Sequence, residues 1–391
     1  MLKSRLCIAF FAFAVGCAPA QKPLTDYVNP MLGTATLWDS VDLGFKPTKR
    51  TWGAEVFPGS SLPNAMVQVS PVTKFHSGAG YQYEDSVIYG FTHTNKGHWN
   101  LCHIPLLPVT GTPTPGDYCS PFSHERESAA PGYYQVFLDR YGVDAQLSST
   151  LRCAFHKYTY PAGAAASLLA DLQRSNEHVR AWDIRKEGDN VFAGWQQTGE
   201  KMYFYAVANR PVTGIEPVVE GDREVRIVRF GEGDGALELR IGFSFVSEKN
   251  ARENLEAEML GKSFAEVRSE ATATWNDLLG RIRVEGGTER EKGLFYSSLY
   301  RSFLWPALRS DVNGEFTDVD GKVINPGFRY YTGPSYWDDY RNKLILLGML
   351  APDVAADVIS SDTDKGEKRG GFMPTFFHGD HASAFVAGTY L

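Results

Sequence analysis

The run HGDH, residues 378–381, places the carboxylate of Asp380 between two imidazoles near the end of the chain. A protonated imidazole on either side would favour the ionised carboxylate, which suits a base or a ligand contact. Two phenylalanines precede the run, and desolvation by their rings would favour the protonated form, which suits an acid. Asp380 could also be the N-cap of a following helix. A transition-metal site is a weaker alternative, because the three side chains are too close in sequence to wrap easily around one ion.

The segments that must position this run have the periodicity of helices from about residue 250 onward. Ser263 and Glu266 form a capping-box pattern at the start of SFAEVRSEATATWNDLL. The segment EREKGLFYSSLYRSFLWPAL spaces Phe295, Leu299 and Phe303 along one helical face. YWDDYRNKLILLGML, PDVAADVISS and HASAFVAGTYL continue the helical pattern. The run 378–381 is therefore predicted to lead into the last of these helices.

The preceding part of the chain, from about residue 24 to residue 247, has the pattern of strands. Short β-branched and aromatic runs alternate with Gly, Pro, Asn and Asp, as in NAMVQVSPV and ALELRIGFSFVS. In EVRIVRF, apolar and charged residues alternate, which is typical of an antiparallel sheet with one face in solvent. The sequence thus predicts a mainly β N-terminal part, built as a β-sandwich, followed by an all-α part.

Composition limits the class of protein. The chain has 391 residues, of which 43% are apolar and 22% charged, so a globular protein with two domains is expected. A net charge of −7 without a long basic run argues against nucleic acid or an anionic membrane surface as a partner. Aromatic residues make up 13% of the chain, which indicates either a well-filled β-rich core or rings that stack on sugars.

The first twenty residues have the pattern of a secretory signal peptide. Lys3 and Arg5 precede an apolar stretch that is too short to span a bilayer, and small residues follow it. Cleavage after Ala20 and lipidation of Cys17 at a lipobox-like AVGC are both open, and both predict an exported protein. Contact with a membrane is expected only through that lipid anchor. The three later cysteines are too few and too irregular for a disulfide framework.

The last predicted helix reaches Leu391 without a C-cap glycine. Four or five helices in about 130 residues are also too few to close a ring of helices. We therefore expect the chain to be the N-terminal part of a longer protein. The segment DVNGEFTDVDGK is similar to calcium loops, but neither half completes the pattern with its distal Glu, so tight turns are predicted there.

Several ordered stretches carry a resemblance to a known family. They are YVNPMLGT, EVFPGSSLPNAMVQVSPVT, YGFTHTN with IPLLPVTG, LLGRIRVEGGTEREKGLFYSSLYRSFLWP and SYWDDYRNKLILL. In this order they resemble the exported bacterial α-mannosidases of glycoside hydrolase family 92. The resemblance implies a β-sandwich followed by an (α/α)6 barrel, with the site at their junction, and calcium-dependent hydrolysis of α-mannosides with inversion. Inversion uses one carboxyl group as acid and another as base, and Ca²⁺ is a hard ion that oxygen ligands bind flexibly.

The resemblance also implies roles for individual residues. Asn29 matches a sandwich residue that helps to form the family's calcium and sugar site, although an ordinary turn before Pro30 is the alternative. Trp337 and Asp338 match a Trp-Asp pair at the mouth of the barrel, where the ring packs on the sugar and the carboxylate accepts hydrogen bonds from hydroxyl groups. For the tryptophan, a plain core position at a helix start is the alternative.

Two loops depart from the family's pattern. His93 keeps its place in a His-Thr-His loop, but Asn95 stands where the second His is usual, and Trp99 is a candidate stacking face in the altered segment. In the closing stretch the family's general-acid glutamate loop is absent, and TFFHGDHA replaces it. His381 fits the family's His before the helix, and the resemblance implies that His93 and His381 both contact the substrate. Asp380 is the candidate that could replace the acid, and the general base is expected beyond Leu391.

We therefore predict a signal peptide over 1–20, a β-sandwich domain over 21–250, a helical linker over 251–285 and the first helices of an (α/α)6 barrel over 286–391. The predicted activity is calcium-dependent, inverting removal of α-linked mannose from glycans by a periplasmic or surface-anchored bacterial enzyme. The 391-residue chain alone is expected to be inactive. A glycosidase of the same fold with altered specificity and a non-catalytic carbohydrate-binding surface protein are the alternatives.

Overall fold

The computed structural model describes residues 22–36, 44–46, 56–94, 101–373 and 379–390. The strands are β1 (Ser60–Ser61), β2 (Gln68–Val72), β3 (Val87–Ile88), β4 (Gly90–Thr92), β5 (Leu106–Val109), β6 (Ser120–Pro121), β7 (Glu127–Ala130), β8 (Tyr133–Leu138), β9 (Val143–Ser149), β10 (Cys153–Thr159), β11 (Ser167–Ala170), β12 (Ala181–Lys186), β13 (Val191–Gln197), β14 (Lys201–Ala208), β15 (Val212–Glu220), β16 (Arg223–Phe230), β17 (Leu237–Ser244), β18 (Phe316–Thr317) and β19 (Val323–Ile324). The helices are α1 (Glu248–Glu258), α2 (Phe264–Leu279), α3 (Glu289–Ser302), α4 (Tyr336–Asp339), α5 (Lys343–Leu350), α6 (Pro352–Lys368) and α7 (His381–Tyr390). Short 3-10 helices span Leu24–Tyr27 and His124–Arg126.

Two large antiparallel sheets form the N-terminal part. One has seven strands in the order β1-β2-β4-β5-β11-β16-β15, and the other has eight in the order β12-β13-β14-β17-β10-β9-β8-β7. Along β14, buried and partly exposed residues alternate without exception, so one face meets the core and the other faces outward. The predicted succession of a β-sandwich and a helical part is confirmed.

Helix α1 belongs with the sandwich, because it lies against β14 and β17 of the eight-stranded sheet. Gly242 in β17 makes this approach possible. A Cβ atom built on Gly242 would lie 2.1 Å from the carbonyl oxygen of Ala251 in α1. Any side chain at this position would therefore push the helix away from the sheet.

The next two helices begin at capping boxes. Ser263 and Glu266 exchange hydrogen bonds at the start of α2, as predicted, and Thr288 does the same with Glu291 at the start of α3. Helix α2 is tied to the sandwich by Trp275, whose indole N–H donates to the backbone oxygen of Ser61 over 2.8 Å. One apolar core then runs from the sandwich into the helices, so the two parts are packed directly on each other.

A long connection between α3 and α4 crosses from the helices back to the sandwich. Its carboxylate Asp311 is buried and accepts hydrogen bonds from Ser244, Asn250 and Asn254, at 2.6, 2.9 and 2.7 Å. The segment similar to calcium loops lies in this connection, where β18 and β19 form a hairpin with tight turns. None of the helices in the described ranges is long and apolar enough to cross a membrane.

Candidate functional site

A cleft of about 950 Å³ lies between the sandwich and the first helices. Four parts of the chain border it: the β13–β14 turn with the start of β14 at 197–203, residues 245–246 after β17, the connection at 305–335, and the C-terminal end of α6. Its volume is at the upper end of the range of roughly 300–1,000 Å³ that ligand sites usually occupy. The cleft is therefore large enough for a ligand of several rings.

Aromatic side chains form the walls of this cleft. Tyr330 stacks on Phe316, with ring centroids 3.6 Å apart and planes 16° apart. The indole N–H of Trp305 donates to the backbone oxygen of Gly333 over 3.3 Å, which fixes the ring beside the segment leading to α4. Tyr203 and Phe245 complete the aromatic lining from the sandwich side.

A buried ion pair forms the floor of the cleft. Asp362 is fully buried and accepts a hydrogen bond from the ammonium of Lys365 at 2.8 Å and another from the hydroxyl of Tyr336 at 2.5 Å. The same ammonium donates to the backbone oxygen of Tyr331 over 2.9 Å. Burial lowers the pKa of Lys365, and the neighbouring Asp362 carboxylate opposes that shift. Because Tyr336 begins α4, the ion pair holds this short helix in place.

Two further ion pairs border the opening. Arg309 donates to Glu200 over 3.0 Å and lies 3.8 Å from the ring centre of Phe245, so it joins the β13–β14 turn to the long connection. Lys368 contacts the carboxylate of Asp318 at 2.9 Å. Burial raises the pKa of Asp318, but the hydrogen bonds that its carboxylate accepts from Lys368 and from backbone N–H groups outweigh burial and lower the pKa overall. The cleft thus combines aromatic faces with polar groups that are largely paired.

Helix α4 carries two residues predicted from the sequence, Trp337 and Asp338, and begins directly after Ser335. Ser335 lines the cleft, and its hydroxyl donates to the carboxylate of Asp338 over 2.5 Å. The ring of Trp337 is 50% exposed, so it is not the plain core residue that the alternative required. The exposed ring of Trp337, two residues after Ser335 of the cleft lining, is compatible with packing on a ligand.

The structure brings His381 and Asp380 next to this helix. The imidazole of His381 stacks on the ring of Tyr340, directly after α4, with centroids 4.1 Å apart. Asp380 precedes α7, and its carboxylate accepts hydrogen bonds from the backbone N–H and the hydroxyl of Ser383. Asp380 is exposed, and this geometry is that of an N-cap. A catalytic role for Asp380 stays a prediction.

Two other predicted residues lie away from the cleft. The side-chain oxygen of Asn29 accepts from the backbone N–H of Met31 over 2.9 Å, which is the local turn named as its alternative role. His93 is fully buried inside the sandwich, where its Nε2 lies 3.0 Å from Nε2 of His156. A sugar could not reach His93 there without separating the two sheets, so the described geometry gives it a core position.

The remaining candidates fall outside the described residues. Trp99 lies in the gap between residues 94 and 101, and His378 lies in the gap between 373 and 379. Cys17 precedes the first described residue. Their predicted roles stay predictions.

The described residues do not by themselves fit a calcium site. Ca²⁺ takes roughly six to eight oxygen ligands, yet within the described ranges no group of three or more His, Cys, Asp or Glu could hold a metal ion. Asn29 offers one oxygen, which already accepts a hydrogen bond.

Sequence analysis missed the residues that line most of the cleft. Trp305 appeared only within the apolar pattern of one predicted helix, and Tyr330 and Lys365 were not singled out. One signal was available, since Asp362 and Lys365 are spaced i, i+3 on one helix and can pair. The spacing could not show that the pair is buried under the cleft.

Comparisons with known proteins agree with this architecture. Residues 27–253 match the glycosyl hydrolase family 92 N-terminal domain, and residues 250–390 match the glycosyl hydrolase family 92 catalytic domain. The structure of a family 92 α-mannosidase from Bacteroides thetaiotaomicron is similar with a TM-score of 0.84 and 26% identity, over 94% of this chain and 54% of that chain. An inverting mannosidase of the same family from Bacteroides thetaiotaomicron VPI-5482 gives a TM-score of 0.80 at 24% identity, over 94% and 52% of the two chains.

A relative from Arthroderma benhamiae, described as an uncharacterized secreted glycosidase, is 24% identical over 344 residues. This match covers 74% of the present chain and 42% of the relative. The chain thus spans about half the length of the relatives that it matches. Since the two domain matches together cover nearly all of its described residues, the chain belongs to glycosyl hydrolase family 92.

Proposed function

We propose that this protein removes α-linked mannose from glycans and that the cleft between sandwich and helices holds the sugar. The observation that carries the proposal is the likeness, at a TM-score of 0.84 and 26% identity, to an α-mannosidase of the same family. That mannosidase has also been solved in complex with mannoimidazole. The cleft suits such a ligand, because a sugar presents apolar C–H faces to aromatic rings and hydroxyl groups to polar side chains.

In this proposal Trp337 and Asp338 contact the sugar from the rim. The partly exposed ring of Trp337 offers a stacking face, and Asp338 accepts hydrogen bonds from hydroxyl groups. Ser335 fixes the direction of the Asp338 carboxylate. Both residues are held through Tyr336, whose hydroxyl is anchored on Asp362.

We propose inversion and calcium dependence on the strength of family membership. Inversion needs a protonated carboxyl group beside the leaving oxygen and an ionised one beside the attacking water. The two carboxylates that line the cleft, Glu200 and Asp318, are each paired with a cation. Such pairing favours the ionised form and is unsuited to the acid. The described residues therefore provide sugar contacts, and calcium ligands would have to come largely from outside them.

The direct test is release of mannose from 4-nitrophenyl α-mannoside by the protein expressed from its own gene, including whatever follows codon 391. We expect turnover with calcium and its loss on chelation, restored by adding calcium back. Asp338→Asn should lower kcat/KM roughly 10- to 100-fold, because a hydrogen bond to a charged group contributes about 1.5–3 kcal/mol. Asp353→Asn, an exposed change on α6, is the matched control and should leave kcat/KM unchanged.

The outcomes of this test separate the alternatives. Activity only on another glycoside would favour a glycosidase of altered specificity. Mannoside binding without turnover would favour the carbohydrate-binding protein. Turnover that survives exhaustive chelation would remove calcium from the proposal and leave the mannosidase in place.

Asp380 can be tested separately, because capping and catalysis require different chemistry. We expect Asp380→Ser to keep both stability and turnover, since serine is as good an N-cap as aspartate. Asp380→Ala should lower the free energy of unfolding by about 1 kcal/mol. Thermal melts and mannose release measure both effects. A loss of turnover in Asp380→Ser at unchanged stability would instead place the carboxylate in the chemistry.

We also propose that the protein is exported. The signal-peptide pattern of residues 1–20 supports export, and the Arthroderma benhamiae relative is described as secreted. Mass spectrometry of the mature N-terminus would show either Gln21 after ordinary cleavage or a lipidated Cys17, and an intact Met1 would contradict export.

A further inference from the structure

An aromatic pair lies on the outer face of the eight-stranded sheet, beside the cleft. Trp195 in β13 and Tyr203 in β14 are directly paired across the two strands. Both rings are partly exposed, whereas the neighbouring Gln196 and Phe204, which point the opposite way, are fully buried. Directly opposed side chains on one face lie roughly 4.5–5.5 Å apart at Cβ. The two rings therefore form a continuous surface, which we call the aromatic shelf.

Lys201 lies over this shelf. Its ammonium is 3.6 Å from the ring centre of Trp195 and 4.9 Å from that of Tyr203. No salt bridge to Lys201 is present in the part of the chain that the structure describes. Among the described residues its contacts are with these rings, which leave the N–H donors of the ammonium available to an acceptor that reaches the shelf.

The aromatic shelf is continuous with the cleft. Lys201 and Tyr203 line the cleft, while Trp195 is the next ring outward on the same face. On the other side the shelf ends at α1, where Arg252 lies over the ring of Tyr205. A ligand that leaves the cleft toward the sandwich would thus meet Tyr203, Lys201 and Trp195.

We propose that the aromatic shelf binds the sugar units on the leaving-group side of an α-mannoside chain, an inference that rests on the proposed function. Lys365 and Trp305 close the inner part of the cleft, where the terminal mannose would lie, so the rest of the chain must extend through the open side. A pyranose there can place its apolar C–H face on the rings while its hydroxyl groups accept hydrogen bonds from Lys201. The shelf would make the protein prefer oligosaccharides to small mannosides.

The experiment compares Trp195→Ala with the wild type on two probes. One is a linear α-mannotetraose, and the other is 4-nitrophenyl α-mannoside, which has no further sugar. We expect the affinity for the tetraose, measured by calorimetry, to fall roughly threefold to tenfold, as for loss of one aromatic contact. The ratio of kcat/KM for tetraose to that for the small mannoside should fall by a similar factor.

Trp182→Ala is the matched control. Trp182 lies on the adjacent strand β12 and is also partly exposed, but it faces the opposite side of the sheet, near Arg226 of the other sheet. The Trp182→Ala substitution should therefore leave the affinity for the tetraose unchanged. Trp195→Phe keeps a ring and should recover most of the affinity, which guards against a misfolded alanine variant.

The outcomes distinguish the two proposals. Equal tetraose affinity in the wild type and Trp195→Ala would overturn the shelf, even if the small mannoside is hydrolysed as proposed. Tetraose binding that depends on Trp195 without any hydrolysis would support the shelf and contradict the enzymatic activity. If the wild type neither binds nor cleaves either mannoside, both the proposed function and the proposed role of the aromatic shelf are contradicted.

Discussion

Replacement of Asp362 by alanine is expected to lower the free energy of unfolding by about 3–5 kcal/mol. The carboxylate is fully buried and pairs with Lys365 at 2.8 Å, so its removal leaves an ammonium in a nearly closed site. The hydroxyl of Tyr336 loses its acceptor in the same substitution. Urea denaturation at constant m-value measures the loss. Under the proposed function, mannoside affinity should fall as well, because Tyr336 begins the helix that carries Trp337 and Asp338.

Two further variants show whether the ion pair is the cause. Asp353→Ala removes an exposed carboxylate from the same helix and should change stability by less than about 0.5 kcal/mol. The double variant Asp362→Leu with Lys365→Met removes both charges and should recover much of the loss, since apolar replacements of buried pairs are often neutral. A loss below about 1 kcal/mol in Asp362→Ala would contradict the assignment.

Acid should destabilise the sandwich through two buried histidines. Burial lowers the pKa of His93 to about 3 and that of His156 well below its ordinary range of about 6.5. The unfolded chain therefore binds protons below pH 6.5 that the native state does not bind. Stability is fully present above pH 6.5 and is lost as the pH falls toward 3. From pH 7 to pH 5 each imidazole should remove about 2 kcal/mol, or about 4 kcal/mol together.

The matched substitutions are His93→Gln and His178→Ala. Glutamine cannot titrate but can place an amide near the Nε2 position, where it still contacts His156, so the pH-dependent loss should fall by about half. His178 is exposed, and its removal should leave the pH dependence as in the wild type. Chemical denaturation at pH 7, 6 and 5 provides the comparison. An unchanged pH dependence in His93→Gln would show that other groups cause the acid loss.

The fold was largely predictable because its signals are local. Alternation of apolar and polar residues identified the strands, and the capping box at Ser263 and Glu266 identified the start of α2 to the residue. Helix α1 was not identified as a separate helix, although most of it lies within the predicted helical linker over 251–285 and Ser247 caps it. Its polar sequence, EKNARENLEAE, shows only a weak apolar face, and its packing depends on Gly242 in a strand, which no local pattern reveals.

The candidate site was predictable only where a family motif named it. Trp337 and Asp338 were named through SYWDDY, and they follow Ser335, which lines the cleft; their contact with a sugar stays a prediction. The floor and walls depend on contacts between distant segments, such as Arg309 with Glu200, which lie 109 residues apart. His93 shows the opposite difficulty. A histidine in a loop-like motif suggested a ligand contact, but whether it faces solvent or the space between two sheets is decided by tertiary packing.

Because α1 packs against Gly242 in β17, it belongs structurally to the N-terminal domain, and this determines where the chain could recombine with that of a relative. The two family-domain matches meet at residues 250–253, inside α1. A recombination there would separate Glu258 from the sandwich, although Glu258 accepts hydrogen bonds from Thr150 and Arg152, at 2.6 Å from each. The N-terminal domain therefore extends through Glu258. Chimaeras joined after that residue should retain all contacts between α1 and the sandwich.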